Sequence, residues 1–195
     1  MVLHAYRQWG ADCAGHLNGM FAFAVWDAAR ESLLLVRDRL GVKPLYYFPL
    51  PHGVLFASEP KGIMVNPLFT PVVDAESLPI LLNARLGLPG ETPLRGLREV
   101  PPGHVVRVGR DGIREQRYWE LVSAPHPDDL DATVGHVGDL LADIVRRQLV
   151  ADVPLSAMLS GGLDSTMLSG LAAREYERTG QGRLTTYCVD FEGDD

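Results

Sequence analysis

The sequence is poor in cysteine and in positive charge, and it has no long hydrophobic run. Its two cysteines, Cys13 and Cys188, lie far apart without a CxxC motif or a nearby histidine pair, which excludes a disulfide framework and the usual zinc spacings. Eighteen basic against 25 acidic residues give a net charge of -7, which argues against nucleic acid as a partner. No apolar run approaches the roughly 20 residues that cross a bilayer, and the first ten residues do not resemble a signal peptide. We therefore expect a cytoplasmic protein with no membrane or nucleic-acid partner.

The first 120 residues carry the pattern of a mostly β domain. With 195 residues, 46% of them hydrophobic, the chain has ample material for a packed core. A short helix is predicted over residues 3–9. Three hairpins follow: MFAFAVW to LLLVRD with a polar turn at 27–31, LGVKPLYYFP to GVLFASE, and GHVVRVGRDGIREQRYW with its turn at 110–112.

A further helix is predicted over residues 74–87, between the second and third hairpins. Asp74 is a suitable N-cap and Gly87 a suitable end, while Pro79 weakens the middle. No internal repeat or low-complexity segment is present in the sequence.

The composition changes at ELVSAPHPDDLD, where prolines and acidic residues crowd a short span. This predicts a linker at 121–131 between a domain at 1–120 and a second domain at 132–195. In the second domain the pattern predicts a helix over 132–150, the strand VPLSAML, a Gly-Gly loop, another helix and the strand LTTYCVDF. That order is typical of an α/β domain with a parallel sheet. Two strands make a small sheet, so we expect the chain to stop partway through this domain.

The strand VPLSAML leads into the loop LSGGLDST, whose residues suit a phosphate ligand. Gly161 and Gly162 allow the backbone to approach a ligand closely, and the exposed N–H groups at the start of a helix attract anions. Ser160 and Ser165 add hydroxyl donors. Asp164 alone would repel an anion, but a carboxylate can hold Mg²⁺ that bridges phosphate oxygens. The loop therefore predicts a site for a metal–nucleotide complex.

A simpler interpretation is a tight turn in which Asp164 and Ser165 only cap the following helix. Two better-known motifs are excluded. The Walker pattern GxxxxGK[ST] and its lysine are absent, and Met158 stands where the GxSxG elbow requires glycine, so Ser160 is a poor acyl nucleophile. The residues of the loop leave the turn and the phosphate site both open.

Six stretches resemble, in chain order, the glutamine-hydrolysing asparagine synthetases: LNGMFAFAVWD, VRDRLGVKPLYY, LFASEPKGI, EVPPGH, YW and DVPLSAMLSGGLDS. The resemblance implies part of an N-terminal-nucleophile glutaminase, an α+β sandwich, over 1–120. It also implies the start of an α/β synthetase domain of the adenine nucleotide alpha-hydrolase type over 132–195. The implied reaction amidates aspartate to asparagine through β-aspartyl-AMP, with ammonia from glutamine. The implied partners are ATP, aspartate and glutamine, with a homodimer for the full-length protein.

The same resemblance implies roles for individual residues of the loop. Ser160, Gly161, Gly162 and Ser165 would hold the pyrophosphate end of ATP, and Asp164 would lie near Mg²⁺. Two apolar positions, Met158 before the loop and Val189 at the end of the next strand, would line the adenosine. Without the resemblance, ordinary strand packing is the simpler interpretation of both apolar side chains.

Two segments of the first domain are not assigned to a catalytic role. The charged pair Arg37 and Asp38, followed by Gly41, Lys43 and Pro44, has the composition of a surface turn. The resemblance implies instead that this stretch supports the glutaminase core and a domain contact. We treat ASEPK at residues 57–61 in the same way. The six histidines are scattered without metal-ligand spacing.

The sequence also departs from the family pattern. The family's nucleophile is a cysteine at position 2, where this chain has Val2, and Cys13 has no N-terminal amine to activate it. The chain ends at Asp195, before the segments that would recognise aspartate. We therefore expect an internal fragment that has no catalytic nucleophile and does not hydrolyse glutamine by itself.

Three other interpretations remain open at this point. A related amidotransferase or a β-lactam-forming synthetase shares the domain plan and acts on another carboxylate. The chain could instead be a non-catalytic subunit that packs against a complementary fragment. A small module that only binds adenine nucleotides is the third.

Overall fold

The computed structural model describes residues 1–77 and 90–190, in two compact units, Met1–Ser123 and Ala124–Asp195. The first unit contains α1 (Val2–Trp9), a 3-10 segment (Gly10–His16), β1 (Ala22–Asp27), β2 (Ser32–Arg37), β3 (Tyr46–Leu50), β4 (Gly53–Ala57), α2 (Pro60–Met64), β5 (Arg98–Glu99), β6 (His104–Gly109) and β7 (Gly112–Arg117). The predicted short helix and all three predicted hairpins are confirmed. The helix predicted over 74–87 lies mostly outside the described residues, and the part that is described ends in a short 3-10 turn, Ala75–Ser77.

An antiparallel sheet with the strand order β1-β2-β6-β7 forms the centre of the first unit. Every residue of β2 is buried, because both faces of this strand are covered. Leu34 and Val36 pack with Ala14 on one face, while Leu33 and Leu35 pack on the other. This two-sided burial explains the unbroken apolar run LLLV, which does not alternate as a half-exposed strand would.

A second antiparallel sheet, β4-β3-β5, packs against the first through a core that includes Leu35, Tyr47 and Val106. Its outer face is covered by α2 and the following turn, where Ile63 and Phe69 are buried. The first unit is thus a sandwich of two antiparallel sheets with helical segments on both outer faces. The expected α+β sandwich is confirmed at this level of detail.

The surface-turn interpretation of Arg37, the last residue of β2, and of Asp38, which follows it, is wrong. Both side chains are buried, with exposed fractions of 6% and 1%. The Asp38 carboxylate accepts hydrogen bonds from four backbone N–H groups, those of Phe21, Leu40, Val42 and Lys43, at 2.9–3.3 Å. A buried charge is tolerated where it is this fully hydrogen-bonded, so the residues form a structural core rather than a solvated turn.

Arg37 fastens the same segment to the second sheet. Its guanidinium donates to the carbonyl oxygens of Lys43, Gly41 and Val100 and forms an ion pair with Glu99 at 2.7 Å. The composition of the stretch could not reveal the partner at Val100, because that residue lies 63 positions away along the chain. The stretch from Arg37 to Lys43 thus supports the core of the first unit, as the resemblance implied.

The second unit begins with α3 (Leu130–Gln148), which Asp129 caps through a 2.9 Å bond from Ala132 N–H. It continues with β8 (Ser156–Met158), α4 (Leu163–Thr179) and β9 (Thr185–Tyr187), and the two strands pair in parallel. The predicted order of elements and the parallel pairing are confirmed for the described residues. Helix α4 ends at Gly180, whose φ of 71° is the left-handed conformation that favours glycine at such a position.

Candidate functional site

The predicted phosphate loop lies between the end of β8 and the start of α4. The N–H of Leu159 donates to the carbonyl of Tyr187 at 2.8 Å, which extends the β8–β9 pairing by one bond beyond the strands. The chain then turns at Gly161, whose φ is 80°, and α4 begins at Leu163 with Gly162 as its N-cap. A residue with a Cβ would be strained at Gly161, so the glycine here follows from the backbone shape.

The serine hydroxyls of the loop contact each other. Ser160 Oγ and Ser165 Oγ are 2.9 Å apart, Ser165 Oγ also donates to the carbonyl of Gly162 at 3.2 Å, and it accepts the Ser160 N–H at 3.3 Å. Ser165 therefore holds the loop in shape from inside the first turn of the helix. The simpler interpretation is wrong about the cap, because Gly162 occupies the N-cap position and no side-chain cap hydrogen bond is made there. Its tight turn at the glycines is present, with a left-handed Gly161.

The space over the loop is open. An added Cβ at Gly161 would meet no heavy atom within 4 Å. The first N–H groups of a helix have no partner within the helix and carry a partial positive charge, so the N-terminus of α4 suits an anion. The backbone geometry of the loop can therefore accommodate a phosphate group.

Asp164 is exposed in the first turn of α4. Within residues 1–77 and 90–190, no group of three or more His, Cys, Asp or Glu side chains is placed to hold a metal ion. Mg²⁺ in nucleotide sites commonly takes one or two carboxylates, with phosphate oxygens and waters completing its shell. A single exposed carboxylate beside the open space over the loop fits that arrangement and does not fit a metal held by protein ligands alone.

Met158 is the last residue of β8, whereas β9 ends at Tyr187 and Val189 lies two residues beyond it. Met158 pairs with Tyr187, and Val189 follows two residues later, so both belong to the edge of the sheet that carries the loop. Their exposed fractions are 63% and 64%. Ordinary packing within a strand does not account for either side chain in the described part of the second unit, which leaves both available to an apolar ligand surface.

Tyr187 is a residue that sequence reasoning did not single out. Its carbonyl accepts the Leu159 N–H, and this bond fixes where the loop leaves the sheet. Because this hydrogen bond is made by the backbone carbonyl of Tyr187, the identity of the Tyr187 side chain does not predict it. Only the expectation of parallel pairing, with the ends of both strands at one edge, could have indicated it.

Comparison with known proteins agrees with the division into two units. The sequence model of the glutamine amidotransferase domain matches residues 1–119, and that of asparagine synthase matches residues 136–195. No helix in the described part of the chain is long and apolar enough to cross a membrane.

Similar curated proteins include several asparagine synthetases. Asparagine synthetase [glutamine-hydrolyzing] 3 of Bacillus subtilis is 43% identical over 100% of this chain and 32% of its own length. A putative asparagine synthetase of Methanocaldococcus jannaschii is 32% identical over 99% of this chain and 38% of its own length. The amidase chyE of Penicillium rubens is 33% identical over 89% of this chain and 26% of its own length. The chain thus spans about a third of the length of the relatives that it matches.

Among solved structures, the glutamine phosphoribosylpyrophosphate amidotransferase of B. subtilis matches with a TM-score of 0.39 and 16% identity, over 93% of this chain and 35% of that one.

The family match over residues 1–119 covers more than half of the 195 residues. The chain therefore belongs to the glutamine amidotransferase domain family, and over its whole length it resembles the glutamine-hydrolysing asparagine synthetases.

Proposed function

We propose that this chain forms part of a glutamine-dependent asparagine synthetase and that its second unit binds the phosphates of ATP. The observation that carries the proposal is the junction of β8 and α4. There, a left-handed Gly161 leaves open space in front of a helix N-terminus, and two serine hydroxyls meet beside it. The asparagine synthase match over residues 136–195 includes this junction.

Each residue of the loop has a distinct part in the proposed site. Gly161 and Gly162 present backbone N–H groups to the pyrophosphate end, and Ser160 adds a hydroxyl donor. Ser165 positions the loop through its contacts with Ser160 and Gly162. Asp164 would hold the Mg²⁺ that accompanies ATP. That metal, when bound, would neutralise charge on the phosphate oxygens.

Met158 and Val189 would contact the adenosine. Both are exposed at the sheet edge that carries the loop, and apolar side chains commonly form the walls of nucleotide sites. The proposed whole reaction activates the aspartate side chain with ATP and then amidates it with nitrogen from glutamine. Small molecules are the proposed substrates, and the proposed oligomer of the full-length protein is a homodimer.

ATP binding is tested by calorimetry on the 195-residue chain, with and without Mg²⁺. Gly161→Ala places a Cβ in the space proposed for phosphate and should weaken ATP binding. Gly180→Ala is the matched control, because Gly180 lies at the other end of α4, has a φ of 71° and likewise has no atom within 4 Å of an added Cβ. Both variants carry similar backbone strain, so a folded Gly180→Ala variant that loses ATP binding to the same extent would contradict the assignment of the loop.

The acceptor substrate is tested on the purified full-length protein, rather than on the 195-residue chain, with ATP, Mg²⁺ and glutamine labelled with ¹⁵N in its amide. Labelled asparagine and AMP formed on addition of aspartate would support the proposal. AMP formed only with a different carboxylate would identify another acceptor. Other carboxylates are included because the chain is also similar to a protein named as an amidase. Bound ATP without AMP formation for any carboxylate would refute the ligase and leave a nucleotide-binding module.

A further inference from the structure

Two arginines face each other across the antiparallel strands β6 and β7. Arg107 pairs with Arg114 in the strand register, so their side chains stand on the same face of the sheet. Leu34 of β2, the other neighbour of Arg107, belongs to the apolar cluster of that face. Like charges directly opposite each other on a sheet are unfavourable. A counter-charge between the two guanidiniums would turn this repulsion into attraction.

The pair lines a cavity of about 300 Å³ at one end of the sheet. Two further arginines complete the cavity, Arg30 from the β1–β2 turn and Arg110 from the β6–β7 turn. Ser32, which is 5% exposed, also lines it, and Asp111 is the single carboxylate among the lining residues. Four arginines and one aspartate therefore line the same cavity, in a chain whose net charge is -7.

The four arginines are not all neutralised by protein partners. Arg30 pairs with Asp27 at 2.7 Å, and Arg110 pairs with Glu31. Among the described residues, no carboxylate lies within 4 Å of the Arg107 or Arg114 guanidinium. A guanidinium has five N–H donors, and the side chains of Arg30 and Arg110 remain 67% and 80% exposed. Even the paired arginines thus keep donors available for a ligand.

We propose that this cavity binds a compact oxyanion with two or more negative charges, of the inorganic phosphate class. The planar fork of arginine matches the oxygen spacing of phosphate and forms two parallel bonds with it. A volume of about 300 Å³ lies at the small end of ligand pockets and suits a small anion better than an acidic peptide. The anion would sit between Arg107 and Arg114, with Arg30 and Arg110 at the rim. All residues that line the site belong to the first unit, and none belongs to the loop at residues 159–165.

The test uses inorganic phosphate as the probe on the 195-residue chain, against sodium chloride at equal ionic strength. We expect saturable binding by calorimetry and a rise in the unfolding temperature that chloride does not reproduce. Arg107→Gln/Arg114→Gln should weaken phosphate binding by about tenfold or more, since each substitution removes charge-assisted hydrogen bonds. Arg117→Gln is the control, because Arg117 lies on the same strand with its side chain on the other face.

Two further comparisons distinguish the cavity from the nucleotide loop and from a general effect of salt. Gly161→Ala should leave phosphate binding unchanged, whereas loss of the measured binding in this variant would assign it to the nucleotide loop and overturn the proposal. In the absence of phosphate, Arg107→Gln/Arg114→Gln should be at least as stable as the parent chain, because the repulsion is gone. A lower stability without phosphate, or an equal rise in unfolding temperature with chloride, would overturn it as well.

Discussion

The buried carboxylate of Asp38 gives the sharpest test of the structure. Its Oδ1 accepts the N–H groups of Leu40 and Val42 at 3.2 and 3.0 Å, and its Oδ2 accepts those of Phe21 and Lys43 at 3.3 and 2.9 Å. In Asp38→Asn one of these oxygens becomes an NH₂ group. Whichever way the amide turns, two of the four backbone donors lose their acceptor and face another donor.

The size of the effect follows from those two lost bonds. A hydrogen bond to a charged group contributes about 1.5–3 kcal/mol, so the loss is about 3–6 kcal/mol out of a typical total stability of about 5–15 kcal/mol. With a urea slope of about 1.5 kcal/mol per M, the unfolding midpoint should fall by about 2 M or more. Intrinsic fluorescence reports on this unit, since Trp9, Trp26 and Trp119 all belong to it.

The control for this measurement is Asp12→Asn, which makes the same change of charge at an exposed position of the first unit. We expect it to shift the urea midpoint little, because exposed substitutions away from special features usually change stability by less than about 0.5 kcal/mol. If Asp38→Asn and Asp12→Asn unfolded at the same urea concentration, the hydrogen-bond account of the Arg37–Asp38 segment would be refuted.

Three other outcomes are expected for the first unit. Gly103→Ala should destabilise the first unit more than Gly112→Ala in urea unfolding. Both glycines have a positive φ, but of the two only Gly103 would bring its added Cβ against a backbone atom, the Trp119 carbonyl oxygen at 2.5 Å. Equal losses would contradict the close approach. Hydrogen bonds from Arg30 lower the pKa of Asp27 to about 2. The contribution of Asp27 to stability should therefore be present above about pH 4 and disappear as the pH falls towards 2. A difference in stability between the parent and Asp27→Asn that does not shrink over this range would refute it. Burial raises the pKa of Tyr118 to about 12, so stability should fall as the pH rises from about 10 to 12, and Tyr118→Phe should remove that part of the fall in alkaline unfolding curves.

The sequence predicted the local elements of the fold well. The hairpin turn at 110–112 and the α/β order of the second unit depend on glycine, proline and apolar periodicity, which act over a few residues. Helix α2 was missed because its five residues, PKGIM, contain both a proline and a glycine. Its proline is at the first position, where the missing N–H costs nothing, and this placement was a readable signal.

The failures concern residues whose partners are distant in sequence. Arg37 and Asp38 have the composition of a solvated turn, and the carbonyl of Val100 and the carboxylate of Glu99, which bind Arg37, could not be found from local pattern. For the candidate site, residue identity predicted the glycine turn, and the resemblance supplied the ligand. The contact between Ser160 and Ser165 could not be predicted from the sequence, because it depends on the shape of the turn that Gly161 makes.

The partners of Arg37 also set an order of events during synthesis of the chain. The acceptors at Gly41 and Lys43 emerge from the ribosome almost together with the guanidinium, whereas those at Glu99 and Val100 follow about sixty residues later. At about 5–20 residues per second that interval lasts several seconds. Until then a cation destined for the interior has only half of its partners. The first sheet can form its β1–β2 hairpin in this period, but the sandwich cannot close around Arg37 before residue 100 is made.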